Sequence, residues 1–261
     1  MMNQRMTVVI KSCDGYADLW APESSFLRRY WPDCPYEIVL VTETKPLPAD
    51  TVYSRVICTN DNGWSSSVLY ALDQIDTPYV MLLLEDLWPD ALIDTSAIER
   101  CLDIMEDNAV GFMQTEAHRF RAEPHPADGN YSVVPVGAPY RINASPGIWN
   151  IAFLRTILRT GETAWDFERL GSYRKESETM TVLCTNKPLF SYIQSCTGPG
   201  AVIGGKLTPD AVAFARNNGV SLDLNCRPVQ TRYDRIKKLF KNKIYDLCPK
   251  LILAVQNLLK K

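Results

Sequence analysis

No CxxC pair occurs in the 261 residues, and histidine appears only twice, at His118 and His125. That scarcity argues against a zinc ribbon, a redox dithiol or a histidine-built metal centre. No apolar run reaches the roughly 18 residues of a spanning helix. The opening MMNQRMTVVIKSCDG also lacks the apolar stretch of a secretory leader, which predicts a cytoplasmic location. GxSxG is missing, and Gly204-Gly205-Lys206 lacks the spacing of a Walker phosphate loop. There is no internal repeat and no low-complexity segment. What the chain does have is a 46% apolar and 22% charged composition. That is enough to bury a core, and the length suits one large domain with a short appendage. The 8 cysteines are scattered, and in a chain of this size they read as buried, reduced thiols.

The net charge of −2 hides a polarity. Residues 227–261 carry ten Lys/Arg against Asp234 and Asp246, a local +8, which leaves −10 on residues 1–226. An acidic body excludes a general nucleic-acid binder. Tyr233, Ile236, Leu239, Phe240, Ile244 and Leu247 line an apolar stripe flanked by Lys237, Lys238, Lys241 and Lys243. A basic amphipathic helix of this kind can lie in an anionic membrane interface. The expected division is therefore a catalytic body over 1–226 and a C-terminal tail of amphipathic helices over 227–261.

β-branched or wholly apolar runs at 7–11, 36–42, 79–84 and 109–114 read as strands. Helical spacing appears after Pro22 and over 65–75 and 94–106. The first 115 residues thus alternate strand and helix, the pattern of an α/β layer with a largely parallel sheet. The spacing predicts further helices at about 150–159, through AWDFERL, and from Thr208-Pro209 to near Gly219. A β-hairpin is expected from 180–184 and 189–193, with irregular or hairpin structure over 115–140.

Ligands of open α/β sheets bind beyond the carboxyl ends of the strands. Ser12-Cys13-Asp14 follows the first strand, Thr42-Glu43-Thr44 the second, and Glu85-Asp86 the apolar run YVMLLL. Carboxylates there can accept hydrogen bonds from ribose or uracil, or hold a hard cation beside phosphates.

Four segments carry a resemblance to a known family. They are VVIKSCDGYADLW with FLRRYWPDCPYEIVLV, WSSSVLYALDQIDTPYVMLLLEDLW, SPGIWNIAFLRTILRTGETAWDFE, and GAVIGGKLTPDAVAFARNNGVSLD with Arg227 behind it. In this order they resemble the bacterial GT-A-type, family-2-like glycosyltransferases of capsule, O-antigen and other surface polysaccharides. The resemblance implies a Rossmann-like GT-A sheet and glycosyl transfer from a nucleotide sugar, a UDP-sugar foremost. It implies Asp14 at the uracil or ribose, with Tyr16 nearby, and Asp61 and Trp64 beside the nucleotide. Glu85 and Asp86 stand where the family has Asp-x-Asp. Because Glu-Asp-Leu departs from that motif, a bound Mn²⁺ or Mg²⁺ on Glu85 and Asp86 stays open. Without one, Lys206 and Arg227 are the candidate cations for the leaving diphosphate.

An inverting transfer needs a carboxylate opposite the leaving group to take the acceptor proton. Glu168 is the expected base and Asp166 its alternate. Trp165 shares a helical side with Glu168 and is a candidate acceptor surface. Trp149 is another, against a competing core position. The acceptor is expected to be a saccharide or lipid-linked, at the inner membrane face reached by the tail. The competing functions are a retaining transferase, a nucleotidyltransferase on a similar sheet, or a non-catalytic membrane scaffold.

Overall fold

The computed structural model describes residues 4–60, 63–195, 198–234 and 236. The chain forms two compact units, Met1–Tyr192 and Ile193–Lys261. The division thus falls at Tyr192/Ile193, earlier than the expected 226/227. Residues beyond 236, and with them most of the expected amphipathic tail, lie outside the described residues.

The first unit runs β1 (Met6–Lys11), α1 (Trp20–Tyr30), β2 (Glu37–Thr42), β3 (Arg55–Cys58), α2 (Trp64–Leu72) and β4 (Tyr79–Leu84). It continues with α3 (Thr95–Asp107), β5 (Val110–Gln114), β6 (Glu123–Pro124), β7 (Tyr131–Val133), β8 (Gly147–Asn150), α4 (Ile151–Ile157), α5 (Ala164–Gly171) and β9 (Thr181–Thr185). Nine strands make one sheet in the order β3-β2-β1-β4-β8-β5-β9-β7-β6. β1 to β4 are mutually parallel, and β9 is parallel to β5. β8 runs against both β4 and β5, so β5 keeps the direction of β4. The α/β class with helices flanking a mostly parallel sheet is therefore what the chain adopts.

Strand alternation explains the two cores. Val8, Ile10, Ile38, Leu40, Met81 and Leu83 pack with Trp20 and Leu27 of α1 and with Ile98, Cys101 and Leu102 of α3. Their neighbours Val9, Val39, Val41, Val80 and Leu82 face the other way. These meet Val68 and Leu72 of α2, Phe153 and Leu154 of α4, and Phe167 of α5. Burial on both faces is why YVMLLL is apolar without alternation.

Three features differ from the sequence expectation. β3 and β8 are only 4 residues long, too short for a periodicity to register. The expected hairpin does not form: β9 sits inside the sheet, parallel to β5 and antiparallel to β7, and Asn186 N–H bonds the Asn130 carbonyl. In place of a second hairpin strand, residues 189–192 return past β4, where Tyr192 makes one antiparallel bridge to Pro89. Trp149, offered as an acceptor surface, is a core residue. It is fully buried on β8, and its ring stacks on Phe112 at 3.6 Å and 9°.

In the second unit β10 (Gln194–Ser195) pairs with β11 (Gly198–Pro199), and β12 (Val202–Ile203) with β13 (Lys206–Leu207). α6 (Pro209–Asn217) follows, with the Thr208 hydroxyl accepting from Ala211 N–H. Gly204 and Gly205 have φ of 60° and 76°. They are the two-residue turn between β12 and β13, a position where only a left-handed backbone matches the strand twist.

Candidate active site

All the parallel strands end at one edge. The pairing of Lys11 with both Val41 and Leu84 brings Ser12, Thr42 and Glu85 side by side there. Ser12 N–H continues the ladder to the Val41 carbonyl at 2.9 Å.

Asp14 enters a 3-10 turn beyond β1. Its Oδ1 accepts from Thr42 Oγ1 at 2.7 Å and from the N–H groups of Thr44 and Lys45 at 3.1 Å each. Its Oδ2 accepts from Thr44 Oγ1 at 2.6 Å. Partial burial opposes ionisation, but these donors outweigh it and hold the carboxyl far below its ordinary range. Asp14 N–H in turn donates to Glu43. Asp14 thus organises the loop after β2, and Oδ2 keeps acceptor capacity for a ligand donor. Tyr16 lies in the same turn, its N–H on the Cys13 carbonyl at 2.9 Å.

Glu85 and Asp86 follow β4, Glu85 buried and Asp86 half-buried. Burial first, then Asp86, pushes the Glu85 carboxyl up to about 8, against the pull of Lys11 and the Ser12 hydroxyl. A third acid lies behind them. Glu23 of α1 is 1% exposed, and its Oε2 accepts from the Tyr53 hydroxyl at 2.9 Å. Burial raises its carboxyl far above the ordinary value, and Glu85 and Asp86 add to this. Nothing in the one-residue context of Glu23 announced that burial.

Glu85 and Asp86 fit a hard divalent cation. They are adjacent oxygen donors after β4, and burial together with Asp86 disfavours a bare negative charge on Glu85. Among the described residues no group of three or more His, Cys, Asp or Glu converges on one point. A cation held here would therefore complete its shell with phosphate and water oxygens, the usual habit of Mg²⁺.

The neighbouring part of the edge is built by β8. Since β8 is antiparallel, its start at Gly147 lies beside the ends of β4 and β5, and residues 144–146 fall between them. Thr115 Oγ1 donates to the Pro146 carbonyl at 2.8 Å. Glu168 of α5 reaches the same segment, its Oε1 accepting from Ala144 N–H at 2.9 Å. Burial raises the Glu168 carboxyl despite that bond and Arg169. α5 is set by a capping box in which the Thr163 hydroxyl accepts from Asp166 N–H and Asp166 Oδ2 accepts from Thr163. Asp166 therefore faces its own helix start. Trp165 is 68% exposed on α5.

Tyr192 is a site residue that sequence reasoning missed. Its phenol is buried, which opposes ionisation and pushes its pKa up. The negative fields of Glu116, Asp86 and Glu168 raise it further, against Arg119. One hydroxyl thus senses the charges of Glu116, Asp86 and Glu168 together. No motif marks it; only the pairing of 189–192 with Thr115 and with the loop at Pro89–Asp90 brings it there.

Trp64 opens α2, with its ring 5.2 Å from Phe167 of α5. Asp61 lies outside the described residues. In the second unit, Lys206 pairs with Asp234 at 3.0 Å. Arg227 is buried there and donates through Nη1 to the Gly205 carbonyl at 3.1 Å. Among the described residues no helix is long and apolar enough to cross a membrane.

No family model and no curated protein matches the chain. Solved structures show partial likeness. S. aureus TarS 1-349 superposes with a TM-score of 0.48 at 11% identity, covering 71% of this chain and 59% of that one. The present chain therefore spans less than two thirds of that relative. A cytidylyltransferase from Leptospira borgpetersenii gives 0.46 at 12%, covering 75% and 83%. UDP-glucose pyrophosphorylase in complex with UDP-glucose gives 0.46 at 7%, covering 74% and 92%. At these values the likenesses assign no activity, and the α/β architecture rests on the sheet described above.

Proposed function

We propose that the protein transfers a glycosyl group from a nucleotide-sugar donor, a UDP-sugar foremost, to a saccharide or lipid-linked acceptor in surface polysaccharide synthesis, with inversion. The observation that carries this reading is Tyr192. Its buried phenol feels the negative charge of Glu116, Asp86 and Glu168 together, so a member of the acidic pair and the α5 carboxylate border the same hollow. A displacement at an anomeric carbon needs a base and a leaving-group site within one hollow, acting on opposite faces.

In this reading the loop held by Asp14 receives the nucleoside, and the diphosphate lies towards Glu85 and Asp86. A divalent cation bound by the pair would neutralise charge on the leaving diphosphate. Glu168, with its Oε1 fixed by Ala144 N–H, takes the proton from the acceptor hydroxyl. The freed oxygen bonds to the anomeric carbon, and the old carbon–oxygen bond leaves its electron pair on the nucleoside diphosphate. The raised basicity of Glu168 suits the transfer, since a base works best near the operating pH. The basic tail places the enzyme against the anionic inner membrane surface; this part of the proposal rests on charge and patterning alone.

A thermal-shift screen with nucleotide sugars and nucleoside triphosphates, with and without EDTA, tests the reading. A donor at hundredfold its Kd stabilises by about 2.7 kcal/mol. A response to nucleotide sugars with release of nucleoside diphosphate is expected. Pyrophosphate released from a triphosphate would mean nucleotidyl transfer, and no response to any nucleotide would leave a scaffold.

A further inference from the structure

Beyond β5 two aromatic rings stand in solvent. Phe120 is 59% exposed and Tyr140 45%, and their planes lie within 6° with centroids 5.7 Å apart. Large exposed apolar side chains scattered singly need no explanation, but a parallel pair held in place does. The holding is done from below by Gln114, the last residue of β5, which is 3% exposed. Its Nε2 donates to the carbonyls of Tyr140 and Arg141 at 3.2 and 3.0 Å. That orientation turns its Oε1 to His118 Nδ1 at 2.9 Å, so Nδ1 carries the proton. The His118 ring lies 6.0 Å from Phe120. One buried amide thus fixes both the loop that carries Phe120 and the turn that carries Tyr140.

The Tyr140 backbone has φ of 56°, a left-handed conformation uncommon for a residue with a bulky side chain. Its carbonyl also accepts from Asn143 Nδ2 at 3.2 Å, which closes the turn. Nearby Arg141 is buried and anchored to the Val134 and Met180 carbonyls at 3.1 and 3.0 Å. An exposed ring held in strained backbone by buried partners is the arrangement expected of a ligand clamp.

Its position gives the ligand. Ala144, whose N–H holds Glu168, is four residues from Tyr140, a span of at most about 14 Å. The platform therefore lies within about 14 Å of the segment that holds Glu168. It is three strand positions from β1, about 14 Å from the Asp14 edge assigned to the nucleotide. A nucleobase stacked here would be on the wrong side of Glu85 and Asp86. A pyranose presents a C–H face to the electron-rich aromatic face and hydroxyls to a polar rim. The Tyr140 phenol is itself a polar edge of such a platform.

We propose that Phe120 and Tyr140, braced by Gln114 and His118, form the stacking platform for a pyranose ring of the acceptor, which is therefore a saccharide chain at its point of attachment. This rests on the transfer reading, and its test is separable from that reading. The full-length protein is labelled and bound to an array of pyranose oligosaccharides, alongside Phe120→Ala and Phe120→Trp. Binding to at least one glycan is expected, weakened about tenfold by F120A, the size of one aromatic stack, and restored by F120W. The absence of glycan binding by the unaltered chain, equal binding by F120A, or Phe120-dependent dimerisation in sedimentation overturns the proposal. The nucleotide-sugar screen on the unaltered protein reads the transfer reaction alone. A donor response without glycan binding refutes only the platform, and glycan binding without a donor response refutes only the transfer.

Discussion

Replacing Glu85 by glutamine should stabilise the protein in alkaline solution and leave it almost unchanged in acid. The carboxyl is pushed up to about 8 from an ordinary 4.5 by burial and by Asp86. The folded chain therefore binds a proton that the unfolded chain has released between those values. Where the folded state binds more protons, stability falls as the pH rises. The contribution is whole below pH 4.5, erodes above it, and is fully lost once the pH passes about 8. That gap corresponds to about 5 kcal/mol, at 1.36 kcal/mol for each tenfold change in proton affinity. A typical domain has a total stability of about 5–15 kcal/mol, so the effect is large. The amide of Glu85→Gln carries no charge to desolvate. Its melting temperature should match the wild type at pH 5 and exceed it by about 10 °C or more at pH 8.5, taking 2–4 °C per kcal/mol. The assay is thermal unfolding followed by circular dichroism from pH 5 to 8.5. MnCl₂ at pH 8.5 should raise the wild-type midpoint and leave the variant alone, since the ion would replace the missing positive charge. Parallel curves for the two proteins across the pH range would refute the reasoning.

Glu168→Gln keeps an oxygen for Ala144 N–H and loses the base; turnover should fall by about 10²–10⁴, with donor-induced stabilisation retained. In the unaltered enzyme, the acid limb of kcat against pH should lie above the ordinary glutamate value, because burial raises Glu168; a limb at or below that value would contradict the assignment. Gly147→Ala drives a Cβ into the Phe112 ring and to 3.1 Å from the Met113 carbonyl; with Phe112 pinned on Trp149, a loss of about 1–3 kcal/mol is expected in urea unfolding. Thr163→Ala removes the cap of the helix that carries Glu168 and should cost about 1 kcal/mol by the same measurement; an unchanged midpoint would argue that α5 is held by packing alone.

The alternation of strand and helix through residue 115 was readable because those strands bury both faces and their helices keep one apolar stripe. β8 was not readable. GIWN is four residues long and derives its strand character from partners on β4 and β5 that are distant in sequence. Trp149 was open between a surface and a core position, because its aromatic character looks the same in both until Phe112 is seen stacked on it. The carboxylates after β1 and β4 were found because strand ends are local features. Their working state was not, since the four donors on Asp14 come from residues 42–45 and the burial of Glu85 from the fold. Tyr192 and Glu23 had no local signal. Each owes its role to a long-range contact of the chain, Tyr192 with the Pro89 loop beyond β4 and Glu23 with Tyr53.

The inserted strand also explains how one sheet edge can hold both halves of a transfer reaction. With β4 and β5 adjacent, the loops after them would be about 5 Å apart, and Glu85 and Asp86 would abut residues 115–120. β8 doubles that separation. Being antiparallel, it also delivers its own approach segment, residues 144–146, into the gap at the same edge. A parallel strand there would have brought an exit loop instead, with no chain arriving from the α5 side. The segment that arrives carries Ala144, whose N–H holds the Glu168 carboxylate at 2.9 Å. The placing of Glu168 against residues 144–146 is thus a consequence of strand direction and register, so a change that shifts β8 by one residue should move Glu168 even if every site side chain is kept.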